Sequence, residues 1–148
     1  MIKHQQDLLY TVKGICMDIH SKVGCGLMEH AYHKILKEKL QRNGHTVQSE
    51  VSISITYEDI VIENAYRADL IVDNKLIIEL KAIEKLETVH FMQLGSYMQL
   101  SGFQLGLLVN FHERNILDGM YTMRLPDLIK KYGKQNNGSN SNNDLIKF

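Results

Sequence analysis

Cysteine is scarce in this chain. Cys16 and Cys25 are the only two in 148 residues, too few for a disulfide framework and without C-x-x-C spacing, so two reduced thiols are expected. Charge of one sign is lacking as well. Seventeen acidic and seventeen basic residues cancel, which argues against polyanion binding through bulk charge and leaves a local basic groove as the alternative. No apolar run approaches the ~18 residues of a membrane span. The opening residues, with Lys3, His4, Gln5 and Asp7, form no signal-peptide core, so a cytoplasmic location without membrane contact is the expectation. Gly-rich phosphate loops of the Walker or Rossmann type are missing, as is any Cys/His arrangement suited to nucleophilic catalysis.

What is present fits a single globular domain. Apolar residues make up 44% of the chain, an ordinary share for a protein with a real core. One domain over residues 1–132 is expected. Residues 133–148 form a tail, and the polar run from Gly133 to Asn143 is too poor in apolar surface to order itself.

Helical spacing of Leu8, Val12, Ile15, Cys16, Ile19 and Val23 predicts a first helix, broken by Gly24, Cys25 and Gly26. A second helix is expected from about Met28 to Arg42, stopped by Asn43 and Gly44, with Glu29 in its first turn and Tyr32 one turn later on the same flank. The period then changes. Val51, Ile53 and Ile55 alternate with Ser52, Ser54 and Thr56 as in a half-buried strand, and Glu58 with Asp59 turns the chain into Ile60–Ile62. A helix from about Val89 to Leu100, a buried strand over Leu105–Phe111, a strand over Gly119–Leu125 and a short helix from Pro126 to Tyr132 complete the pattern.

Arg67 to Leu86, RADLIVDNKLIIELKAIEKL, is the stretch most suited to chemistry. Two apolar strands there carry Asp69, Glu79 and Lys81, residues that are costly to bury unless paired or bound to a metal. Glu79 and Lys81 share one strand face, and Leu80 points away. A three-residue turn at Asp73, Asn74 and Lys75 sets Val72 opposite Leu76, and by counting outward Asp69 opposite Glu79 and Arg67 opposite Lys81. A two-residue turn sends Glu79 to the other face. Asn74 tolerates the left-handed backbone of the longer turn, which is therefore favoured.

Gly26 to Tyr32, GLMEHAY, together with YRADLIVDNKLIIELKAIEKL, resembles the GxxExxY family of the PD-(D/E)xK nuclease-like superfamily. The motifs run in the family's order: a helix with Glu29, a strand with Asp69, a strand with Glu79-x-Lys81, and a helix with Gln93 and Tyr97. Ala68 stands where the superfamily has Pro, and Cys25 where the family often has Pro. The resemblance implies that Asp69, Glu79, the backbone carbonyl of Leu80 and Glu29 bind Mg²⁺ (or Mn²⁺), directly or through water. It implies that Lys81 orients the attacking water or neutralises the transition state, and that Gln93 and Tyr97 brace the site and touch the substrate backbone. Arg67 either contacts phosphate or pairs with Asp69 or Glu79.

Simpler roles exist for each residue. Glu79 with Lys81 as a surface ion pair is worth under ~1 kcal/mol; Glu29 is a dipole partner at its helix start; Gln93 and Tyr97 are helix-surface and core residues; Tyr32 and Met92 are core. A zinc site from His20, His30 and His33 lacks HExxH spacing. The expected fold is α/β, a restriction-endonuclease-like mixed β-sheet flanked by helices with an α-β-β-β-α-β core. The expected function is a Mg²⁺-dependent nuclease acting on nucleic acid, DNA in the first instance. The competing expectation is a non-catalytic nucleic-acid- or protein-binding module of the same fold, with a homodimer as one form of it.

Overall fold

The computed structural model describes residues 3–132; the expected polar tail lies outside them. Two helices come first, α1 (Lys3–Val23) and α2 (Glu29–Arg42), followed by strands β1 (Val47–Tyr57), β2 (Ile60–Val72) and β3 (Leu76–Lys81). Helix α3 (Thr88–Ser101) leads into β4 (Leu105–Asn110), a 3₁₀ turn at Ile116–Gly119, β5 (Met120–Arg124) and α4 (Leu125–Tyr132). The strands form one mixed sheet in the order β1-β2-β3-β4-β5, with β3 and β4 parallel and the other pairs antiparallel. This is the restriction-endonuclease-like α/β order. No helix among the described residues is long and apolar enough to cross a membrane.

Each face of the sheet buries its own core. Leu8, Val12, Ile15, Cys16 and Ile19 of α1 and Tyr32, Leu36 and Leu40 of α2 pack on Leu70, Val72, Leu76, Ile78, Leu80, Leu107 and Val109. On the other face Leu94 and Met98 of α3 meet Ala68, Ile71, Ile77, Leu108 and Met123. Burial of this kind is worth about 25 cal/mol per Å² of apolar surface, so the two layers fix the sheet between them. Cys16 is buried in the first core, where desolvation pushes its thiol up to about 12, and neither cysteine is bridged.

Two features of β2 differ from the sequence reading. Ile60–Ile62 is not a separate strand: β2 runs unbroken from Ile60 to Val72. Its first five residues are exposed on an arm shared with β1, so no buried face imposed an alternating pattern there. Second, the β1–β2 ribbon turns over midway. Val47 with Val72 faces the α1–α2 core, whereas Val51 with Ala68, and Ile53 with Tyr66, face α3. The reversal falls at Glu50 and Asp69, with Glu50 in the left-handed region at φ 53°.

Candidate active site

The hairpin turn has the favoured length. Val72 stands opposite Leu76, Asp73 and Asn74 take φ of 53° and 52°, and Lys75 N–H donates to the Val72 carbonyl at 3.0 Å. Asp73 is fixed from outside as well, its carboxylate 2.8 Å from His45 Nδ1 and accepting the Thr46 N–H at 2.9 Å. The His45 and Thr46 contacts hold its carboxyl below the usual carboxylate range against the opposing effect of burial.

From this turn the β2–β3 ladder extends only to Leu70 opposite Ile78. The next free donor on β3, the Leu80 N–H, goes to Asp69 Oδ2 at 2.8 Å. A side chain thus takes the bond that backbone would have made, and the strands part. Arg67 is therefore not opposite Lys81 but pairs in register with Ser52 of β1. Its guanidinium meets neither Asp69 nor Glu79 in an ion pair; it lies 3.2 Å from Glu50 on the exposed surface.

Glu79 is the most perturbed carboxyl of the site. Burial and the charge of Asp69 push it up to about 7, against the lowering effects of Tyr66, Lys81 and the Asp69 N–H. Tyr66 O–H donates to Glu79 Oε1. The Tyr66 ring in turn stacks on Tyr97 of α3, centroids 3.7 Å apart and planes 8° apart. Burial and the negative charge of Glu79 raise the Tyr66 phenol, so it stays a donor throughout the working pH range. Sequence reasoning missed Tyr66. The available signal was its place three residues before Asp69, on an apolar strand that needed a partner for each buried polar group.

Glu29 enters from the other helical layer. It stands at the start of α2 on the solvent side, and its carboxyl is raised by partial burial and by Asp69, while Lys81 and the Ala82 N–H lower it. Tyr32 explains how this position is held. Fully buried, it donates its O–H to the Gly24 carbonyl at 2.6 Å, accepts the Leu27 N–H at 3.1 Å, and stacks on Phe111 at 4.4 Å. The loop before Glu29 is thus tied to the end of β4, where the Phe111 N–H donates to the Lys81 carbonyl at 2.9 Å. Tyr32 is core, as its position suggested, and its hydroxyl also sets the loop.

Asn110 secures the chain just beyond Lys81. Buried at the end of β4 beside Lys81 in the parallel register, its side chain accepts the Ile83 N–H at 3.1 Å and donates to the Ile83 carbonyl at 2.9 Å. Asp69 and Lys81 lie within electrostatic range of both Glu79 and Glu29. Gln93 lies exposed on α3 one turn before Tyr97. His90 caps the same helix, its Nδ1 accepting the Glu87 N–H at 2.8 Å. The zinc alternative dissolves: His20 bonds the Glu113 carbonyl, His33 bonds Ser49 Oγ, and His30 is exposed. Among the described residues no group of three or more His, Cys, Asp or Glu side chains is gathered closely enough to hold a metal.

Residues 6–122 match the family model described as the PD-(D/E)XK nuclease superfamily. The chain belongs to this superfamily, and its function is accordingly nuclease-like, with nucleic acid as the implied substrate. None of the curated proteins compared with it matches. None of the solved structures matches either.

Proposed function

We propose that this chain is a divalent-cation-dependent phosphodiesterase acting on DNA, with Asp69 and Glu79 as its cation ligands and Lys81 as its transition-state cation. The observation that carries this reading is the Asp69–Glu79 pair itself. Two carboxyl groups in a partly dehydrated cleft raise the pKa of one of them to about 7, and a bound cation would relieve that repulsion. The donors are hard oxygens, which suits Mg²⁺ or Mn²⁺, and a site of two carboxylates completed by the Leu80 carbonyl and water is ordinary for Mg²⁺. Such a cation would supply Lewis acidity at the scissile phosphate.

The chain's own groups do the rest. Asp69 uses Oδ2 on the Leu80 N–H, which fixes the carboxylate and leaves Oδ1 for the cation. Glu79 is held by Tyr66. Lys81 presents an ammonium that orients the attacking water or neutralises the charge developing on phosphorus. Glu29, held through Tyr32, reaches the cation through water. Gln93 and Arg67 are available to the substrate backbone from the exposed surface. The separate tasks of Glu29 and Tyr32 in this fold support placing the chain in the GxxExxY group.

Purified protein should cut DNA in Mg²⁺ or Mn²⁺, stop in chelator, and lose cleavage in Glu79→Ala. Wild type and variant behaving alike would overturn the proposal. A second reading, a binding module of the same fold that does not cut, is favoured by the lack of a third closely gathered acidic ligand among the described residues. Retention of DNA without cleavage, unaffected by chelator, is its signature.

A further inference from the structure

Glu79 has one aromatic partner that bonds it and a second aromatic residue stacked on that partner. Tyr66 O–H donates to Glu79 Oε1, and the face of the Tyr66 ring is covered by Tyr97, with centroids 3.7 Å apart and planes 8° apart. Tyr66 comes from β2 beyond the point where that strand leaves β3, so no ladder bond fixes its distance from Glu79. On its outer side β2 still pairs with β1, Tyr66 opposite Ile53. The stack therefore links α3 to the β2 branch, and the phenol links that branch back to β3.

We infer that Tyr66 is a positioning residue for Glu79, and that Tyr97 serves the site through Tyr66 rather than by contact with the substrate. This rests on the proposed ligand role of Glu79. A carboxylate with free χ angles presents its oxygens to a cation only part of the time, and partners that hold a metal ligand typically change affinity 10- to 100-fold when removed. One oxygen of Glu79 is held by the phenol, which restricts how the carboxylate can turn and so how it presents its other oxygen. Tyr97 contributes its ring face; its hydroxyl is not needed for that.

Three single variants of the chain and one double variant separate these roles, with Mn²⁺ affinity read by calorimetry and folding checked by the unfolding midpoint. Tyr66→Phe keeps the stack and loses only the hydroxyl. It should weaken Mn²⁺ binding by about tenfold. Tyr97→Phe should bind as wild type, whereas Tyr97→Leu should weaken binding as Tyr66→Phe does, and combining Tyr66→Phe with Tyr97→Leu should cost no more than either alone. Unchanged affinity in Tyr66→Phe, full additivity in the double variant, or equal loss in Tyr97→Phe and Tyr97→Leu would each overturn the inference.

A wild type that binds no Mn²⁺ and cuts no DNA would defeat the proposed function first. The positioning claim then has its own readout. In proton NMR the Tyr66 hydroxyl should give a slowly exchanging resonance that disappears in Glu79→Ala and loses protection in Tyr97→Leu. A hydroxyl in fast exchange in wild type, or one indifferent to both substitutions, would overturn it.

Discussion

Asp69 Oδ2 accepts the Leu80 N–H at 2.8 Å, one step beyond the last backbone pair of β2 and β3. This single bond stands where the next ladder bond would form, and it fixes a carboxylate whose charge acts on Glu79. It also makes Asp69 structural and chemical at once, and the two parts separate by substitution. Asp69→Ala leaves a buried N–H without a partner and should cost about 1–3 kcal/mol in denaturant unfolding. Asp69→Asn keeps an acceptor and should cost under about 1 kcal/mol, yet bind divalent cation as poorly as the alanine variant.

The Glu79 carboxyl sets a pH dependence whose sign is fixed. Its folded-state pKa, about 7, lies above the ordinary value of 4.5, so its contribution to stability is fully present below about 4.5 and is lost as pH rises through 7. Glu79→Gln, which carries no proton to lose, should therefore gain stability relative to wild type between pH 5 and pH 8, by up to roughly 3 kcal/mol. Denaturant midpoints across that range check it. Cation affinity should move the opposite way in wild type, rising with pH until Glu79 is ionised.

Tyr32→Phe removes the hydroxyl that bridges the Gly24 carbonyl and the Leu27 N–H while keeping the stack on Phe111. We expect a loss of about 1–2 kcal/mol in stability and a larger proportional fall in DNA cleavage, since the loop before Glu29 is released. An equal effect of Tyr32→Phe in a Glu29→Ala background would show that the hydroxyl acts on cleavage by some other route.

Asn110→Leu is close in volume but makes neither bond to Ile83. Three backbone groups lose their partners, the Ile83 N–H and carbonyl and the His112 N–H, and unfolding should become easier by about 2–4 kcal/mol. Hydrogen exchange should quicken at Ile83 before it does in the β3–β4 ladder.

Much of this was legible in the sequence because each signal was local. The helices followed from apolar spacing such as Leu8, Val12, Ile15 and Ile19, and the turn length followed from Asn74, which adopts the left-handed backbone such a turn requires, as Asp73 before it also does. The exposed start of β2 was not legible as part of one strand, because Ile60 to Asn64 has no buried face to impose a period. Extrapolating the hairpin register to Arg67 and Lys81 failed for a different reason: a side chain, Asp69, ends the ladder, and counting along strands assumes only backbone bonds. Tyr66, Asn110 and Phe111 went unnoticed because their value lies in contacts made far along the chain. Asn110 meets Ile83 and Phe111 meets Tyr32 only once β3 and β4 lie parallel.

The central claim is that Lys81 serves the reaction and the carboxylate pair serves the cation. The direct test is the rate of DNA cleavage by Lys81→Ala at saturating Mg²⁺, beside wild type. Wild type should cut, and Lys81→Ala should cut at least about 100-fold more slowly while binding Mg²⁺ no more weakly than wild type. Equal rates for the two proteins, or a wild type that leaves DNA intact with Mg²⁺ bound, would contradict the account.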